Sequence, residues 1–158
     1  MPIYMKMDGV NGAVTASGYE KQVALDGLSF GCSRVVSMRV GDSGNRSENL
    51  PDFNEVMCTK STDESSFGIL KEAVSGRSGK TVEIAVVEAG EKPTEYVKYT
   101  LKDVIVSHYD MSSSGDQPVE SFQLSYTDVE VKFTPTDKSG AAGGPGIVGF
   151  DLATGKPR

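Results

Sequence analysis

The sequence predicts a mainly β fold: a closed or nearly closed antiparallel β-barrel of two packed sheets, with one flanking α-helix. Three observations predict it. Alternating apolar and polar residues recur along most of the chain and stop at Gly, Ser, Asn and Asp clusters. Only one stretch places apolar residues at helical spacing. In three strand-like stretches the apolar set changes phase at mid-length, as a strand does when it bends or passes from one sheet to another.

The elements follow in order. "IYMKMD" (Ile3 to Asp8) puts Ile3, Met5 and Met7 on one side, and Gly9 and Gly12 bound the turn after it. A second strand region runs from Glu20 to about Ser37. In it Val23 and Leu25 share one face, while Leu28 and Phe30 occupy the opposite phase. An extended loop covers about residues 38–53, and "FNEVMCTK" (Phe53 to Lys60) reads as the next strand. In "DESSFGILKEAVSG", Phe67, Leu70 and Val74 recur at i, i+3 and i+7, which predicts a helix that packs this stripe on the core. Asp63, Ser65 or Ser66 can cap its start, and Gly76 suits a left-handed residue at its end.

"TVEIAVVE" (Thr81 to Glu88) is β-branched and apolar. Two long strand regions follow, Thr94 to Asp110 and Pro118 to Thr134, joined by the turn "MSSSGDQ". Val97, Tyr99 and Leu101 precede Val104 and Val106 out of phase; Phe122, Leu124 and Tyr126 give way to Val129, Val131 and Phe133. Each jump falls beside an aspartate: Asp26, Asp103 and Asp128. The Gly-rich segment at about 135–158 holds few core residues before Ile147, Val148, Phe150 and Leu152, so a tail that docks back on the body or on a neighbour is expected. No helix follows its glycines, which argues against a phosphate loop.

The 158 residues fit one domain, 1–158. Sixteen Lys and Arg against 22 Asp and Glu give a formal charge of −6, which disfavours nucleic acid and anionic membranes. No apolar run approaches the roughly 20 residues that span a bilayer. The N-terminus lacks the basic and apolar blocks of a signal peptide. Cys32 and Cys58 are expected to be free and buried. With a single histidine, the chain lacks the ligand clusters of a metal site, so neither metal nor cofactor is expected.

"GDSG" at Gly41 to Gly44 matches the tetrapeptide around a chymotrypsin-like nucleophile. Ser43 would need a histidine base and an orienting carboxylate. The only histidine, His108, follows the serine instead of preceding it, and Asn45 and Arg46 replace the next glycine of that motif. The chain is read as no enzyme, with His108 a half-buried packing residue.

Several segments in fixed order carry a further signal: "MPIYMKMDGVNG", "TKSTDESSFGILKEAVSG", "YVKYTLKDVIVSHY", "VESFQLSYTDVEVKFTP" and "GFDLATGKP". Together they resemble the haemolysin-coregulated protein (Hcp) family of the bacterial type VI secretion system. The resemblance implies a homohexameric ring that stacks into the secreted inner tube and carries effector proteins in its lumen. It also implies a fold shared with phage tail-tube proteins, a spike protein at the tube tip and a contractile sheath around the tube. Location would be the bacterial cytoplasm, then the outside or a target cell. Relatives often carry tryptophan near Leu28 and Phe30, and this chain has no Trp.

Within that resemblance, two surfaces are singled out. If Leu28 and Phe30 face the core, Ser29, Gly31 and Ser33 face the other way, forming a small polar wall suited to a channel, with Ser29 expected to touch cargo. The loop residues Gly41, Asp42, Ser43, Gly44, Asn45 and Arg46 belong to a connection too long and too polar to be only a link, and are assigned to ring or subunit contacts. A monomeric β-sandwich that binds a ligand is the competing reading; it explains the strands, but less well the phase jumps or the loop.

Overall fold

The structure, a computed structural model, describes residues 1–41, 44, 50–91, 93–136, 139 and 142–158. The chain forms β1 (Ile3–Met7), β2 (Val23–Leu25), β3 (Gly27–Ser29), β4 (Cys32–Ser33), β5 (Asp52–Phe53) and β6 (Val56–Ser61). Helix α1 (Ser65–Ser75) follows, then β7 (Lys80–Glu88), β8 (Thr94–Ser112), β9 (Val119–Ser125), β10 (Asp128–Phe133), β11 (Gly146–Asp151) and β12 (Lys156–Pro157).

Two sheets share the long strand β8. The larger runs β12-β11-β10-β8-β7-β1-β2, and the smaller runs β8-β9-β6-β3. Every ladder among the described residues is antiparallel, and β4 and β5 form a separate hairpin. The apolar faces of the two sheets meet in one core that includes Met5, Val23, Ile84, Leu101, Phe122 and Leu124, all fully buried.

The three phase jumps are the corners of this arrangement. Up to Val104, β8 pairs with β7 and β10; from Ile105 onward it pairs with β9. Asp103 stands at the change with φ 54°, a left-handed conformation that Asp tolerates better than most side chains. Turning the strand there lets Leu101 and Val104 both face inward although their spacing is odd. Asp26 separates β2 from β3, and Asp128 opens β10 directly after the end of β9, so both mark crossings between the same two sheets.

The mainly β expectation therefore holds, with two packed sheets and one helix. Among the described residues no sheet closes into a continuous ladder: β12, β2 and β3 each end a path without a further hydrogen-bonded strand. Between β2 and β3 the sheets are joined by the chain at Asp26, whose N–H donates to the Thr59 carbonyl at 2.8 Å. The second strand region is also shorter than expected. It breaks into β2, β3 and β4, and no strand runs from Arg34 to Gly41. The Gly-rich tail does dock, adding β11 beside β10 with Phe150 buried, while Ile147 and Val148 on the same strand stay exposed.

Helix α1 departs most from expectation. Its left-handed Gly76 end (φ 61°) is as predicted, and the Ser65 N–H donates to Asp63 Oδ1 at 2.8 Å at its start. Its predicted core stripe, however, faces outward: Phe67 is 78% exposed, Leu70 43% and Val74 81%. The helix docks through Ile69, fully buried, flanked by Ser66 and the half-buried Ala73. At Gly68 an added Cβ would stand 3.2 Å from Val10 Cγ2, so the absence of a side chain there helps the helix sit close.

Candidate assembly and channel surfaces

The outer face of the smaller sheet carries the predicted wall. Cross-strand pairing sets Ser29, Met57, Gln123 and His108 in one row, and Gly27, Thr59, Ser121 and Asp110 in the next. The intervening row, Leu28, Cys58, Phe122 and Tyr109, points into the core, as a pleat of period two requires. Neither outer row contains a lysine or arginine. Beside them Ser107 Oγ donates to Glu55 Oε2 at 2.7 Å, and Ser61 Oγ donates to Asp26 Oδ2 at 3.0 Å. Apart from the partly exposed Met57, the surface is polar, and its carboxylates are acidic charges.

Ser29 lies exposed within this wall. Gly31 and Ser33 lie beyond its end: Gly31 is half-buried against Asn54, and Ser33 pairs with Asp52 in the β4–β5 hairpin. His108, expected to be half-buried, is exposed and stands in the row with Ser29. Cys32 is exposed where burial was expected, and Cys58 is buried, its thiol pushed up to about 12 by that burial.

Of the predicted contact loop, Gly41 and Gly44 are exposed. Asp42, Ser43, Asn45 and Arg46 lie outside the described residues. The segment leading into the loop presents Val35, Val36, Met38 and Val40, with Met38 84% exposed, to solvent.

Behind the wall sits a cluster that the sequence reading passed over. Lys60 on β6 and Glu120 on β9 are directly paired across the ladder, and both are fully buried. Lys60 Nζ donates to Glu120 Oε2 at 2.7 Å, to Ser66 Oγ at 3.1 Å and to the Ser61 carbonyl at 2.9 Å. It also lies 3.0 Å from Asp63 Oδ1. Ser66 Oγ donates to Glu120 Oε2 at 2.6 Å, and the Tyr109 hydroxyl donates to the other carboxylate oxygen. The cluster thus ties the first turn of α1 to β6, β8 and β9. Burial pushes the Asp63 carboxyl up, but bonds from Ser65 and Lys60 outweigh it and hold the group below its usual range.

Burial, then the bond to Glu120 and its charge, raise the Tyr109 phenol well above its ordinary value. A raised folded-state pKa stabilises the fold below the unfolded value of about 10 and loses that contribution as pH rises through the folded value. Stability is expected to fall first above about pH 9, where the buried Cys58 thiol would ionise on unfolding, and more steeply above about pH 10, where Tyr109→Phe should flatten the dependence. Burial also raises Tyr19 and Tyr126 to about 12, which leaves a residual slope. An unchanged slope in Tyr109→Phe, measured by denaturant titration from pH 8 to 12, would contradict this reading.

Among the described residues no three His, Cys, Asp or Glu side chains gather as a metal site would need.

The family model described as "Type VI secretion system effector, Hcp" matches residues 4–133. This chain belongs to the Hcp family. Protein hcp1 of Pseudomonas aeruginosa is 30% identical to this Hcp chain over 105 residues, covering 64% of this chain and 65% of that one. The match therefore spans slightly under two thirds of that relative. A solved type six secretion system protein superposes with a TM-score of 0.91 at 26% identity, covering 99% of both chains. Hcp1 of Salmonella typhimurium shares the fold at a TM-score of 0.80 and 21% identity, covering 99% of this chain and 98% of its own. The Hcp chain is thus a type VI secretion system component, as the ordered segments suggested.

Proposed function

We propose that this Hcp protein forms a homohexameric ring, that rings stack into the type VI inner tube, and that the outer face of the β8-β9-β6-β3 sheet lines the channel. The two sheets, cornered at Asp26 and Asp103, act as an incompletely laddered barrel whose smaller sheet is the wall. One observation carries the channel assignment: apart from the partly exposed Met57, the rows around Ser29 and Thr59 present glycine and polar side chains and no lysine or arginine. Such a wall holds a protein loosely and lets it pass. Effector proteins are the proposed cargo. The spike and sheath are the proposed partners at the tube tip and around the tube, and secretion from the cytoplasm is the proposed route. No catalytic role is assigned. The loop containing Gly41, Asp42, Ser43, Gly44, Asn45 and Arg46 is proposed to bridge rings, through weak, salt-sensitive contacts of Asp42 and Arg46.

Ser29 gives the test. Ser29→Gln or Ser29→Arg is expected to fold normally, because the side chain is exposed, and to keep six-copy rings in native mass spectrometry. The amount of effector recovered with the ring from co-expressing cells should fall at least several-fold. Undiminished recovery would remove Ser29, and with it this face, from the channel.

A further inference from the structure

Two apolar features lie at opposite ends of the sandwich. At the end where β6 finishes, α1 turns Phe67, Leu70 and Val74 outward as a ridge along one helix face. At the end where β6 begins, the β4–β5 hairpin and the face of β10 and β11 enclose a cleft of about 230 Å³. Phe30, Phe53, Tyr99, Val131, Val148 and Phe150 line it, with scarcely any polar surface. Six residues of β6 separate the two ends, about 20 Å at strand rise.

We propose that the Phe67–Leu70–Val74 ridge of one copy seats in this cleft of the next copy, forming the lateral contact of the ring. The inference rests on the ring reading above and names the surfaces that close it. A ridge and a groove are not self-complementary, so their contact is head-to-tail, the kind that generates rings, whereas a two-fold dimer would need one patch to meet itself. Their placement at opposite ends lets each subunit give the ridge on one flank and accept it on the other. Anchors at i, i+3 and i+7 match how an amphipathic helix fills an apolar groove. The cleft has room for an aromatic and a branched side chain, which Phe67 and Val74 supply.

The competing occupant within the same chain is the exposed segment holding Val35, Val36, Met38 and Val40. It follows directly on Cys32, which itself lines the cleft, so it leaves from the accepting end and not from the opposite flank.

Disulfide trapping between co-expressed copies decides the matter. A mass-tagged copy carries Phe67→Cys, an untagged copy carries Val148→Cys, and both carry Cys32→Ser; Cys58 is buried. The expected result is a tagged–untagged covalent pair, more than tenfold above a Glu91→Cys control, within a six-copy species. A parallel pair replaces Phe67→Cys with Met38→Cys. Bonding of Val148→Cys to Met38→Cys alone, or to neither, with six-copy rings intact, would overturn the ridge contact and leave the ring reading standing. If the unmodified chain gives no six-copy species, both fail together. Phe67→Glu adds an independent readout: rings are expected to fall to monomers that keep the parent's far-ultraviolet circular dichroism spectrum and cooperative unfolding, since the side chain is exposed within one copy, and retained rings would overturn the proposal.

Discussion

Lys60→Met is expected to lower the unfolding free energy by about 3–5 kcal/mol, the usual effect of stripping one partner from a buried ion pair. The loss arises from what remains. Glu120 would stay fully buried with a charge answered only by the hydroxyls of Ser66 and Tyr109. Glu120→Gln should be milder, since the amide keeps hydrogen-bonding capacity, although Lys60 would then rely on Asp63, which is partly exposed. The double variant Lys60→Met/Glu120→Leu should recover most of the loss, because replacing both charges by apolar groups of similar volume is often neutral or stabilising. Denaturant melts of the three variants give the comparison. A Lys60→Met protein within about 1 kcal/mol of the parent would mean that this cluster does not hold α1 to the sheets.

Ile69→Ala is expected to cost about 2–5 kcal/mol, whereas Phe67→Ala should change monomer stability by less than about 0.5 kcal/mol. Ile69 is the one large apolar side chain of α1 that is fully buried, so truncating it leaves a cavity between the helix and the sheets. Phe67 is the larger residue, but at 78% exposure it has little to lose within one copy. The contrast separates two roles of one helix. Ile69→Ala should weaken folding and assembly together; Phe67→Ala should weaken assembly alone. Thermal melts paired with native mass spectra read both, and equal destabilisation by the two variants would contradict the observed docking of the helix.

That contrast also shows how far the sequence could be read. Phe67, Leu70 and Val74 stand at i, i+3 and i+7, but Ser66, Ile69 and Ala73 share the same spacing one position earlier. Two stripes about 100° apart on a helix both satisfy the periodicity. Hydrophobicity alone favours the more apolar stripe for the core. The inner position instead went to the stripe whose serine completes the Lys60–Glu120 cluster. Hydrophobicity ranks side chains by their aversion to water and carries no information on whether a second copy of the chain will remove that water.

The cluster itself had a signal in the pattern. Lys60 shares the phase of Val56 and Cys58, and Glu120 shares that of Phe122 and Leu124, so opposite charges occupy inward positions on strands of the same sheet. Strand pairing between β6 and β9 was not predictable from either segment alone, and without it neither charge had a partner. The corners at Asp26, Asp103 and Asp128 were legible because a phase jump is local to one strand. Strand β11 was not, since its glycines suppress the alternation and the ladder with β10 supplies what the side chains do not. His108 illustrates the same limit: a register shift between Val106 and His108 turns it to the outer face against the alternation of its neighbours.

Electron microscopy of the purified chain tests the central claim most directly, which is that this subunit is built to be flanked by copies of itself around a polar hole. Annular particles of six copies with an open centre are the predicted result. A uniform field of compact particles the size of one chain, with no central hole at any concentration up to the micromolar range, would contradict it.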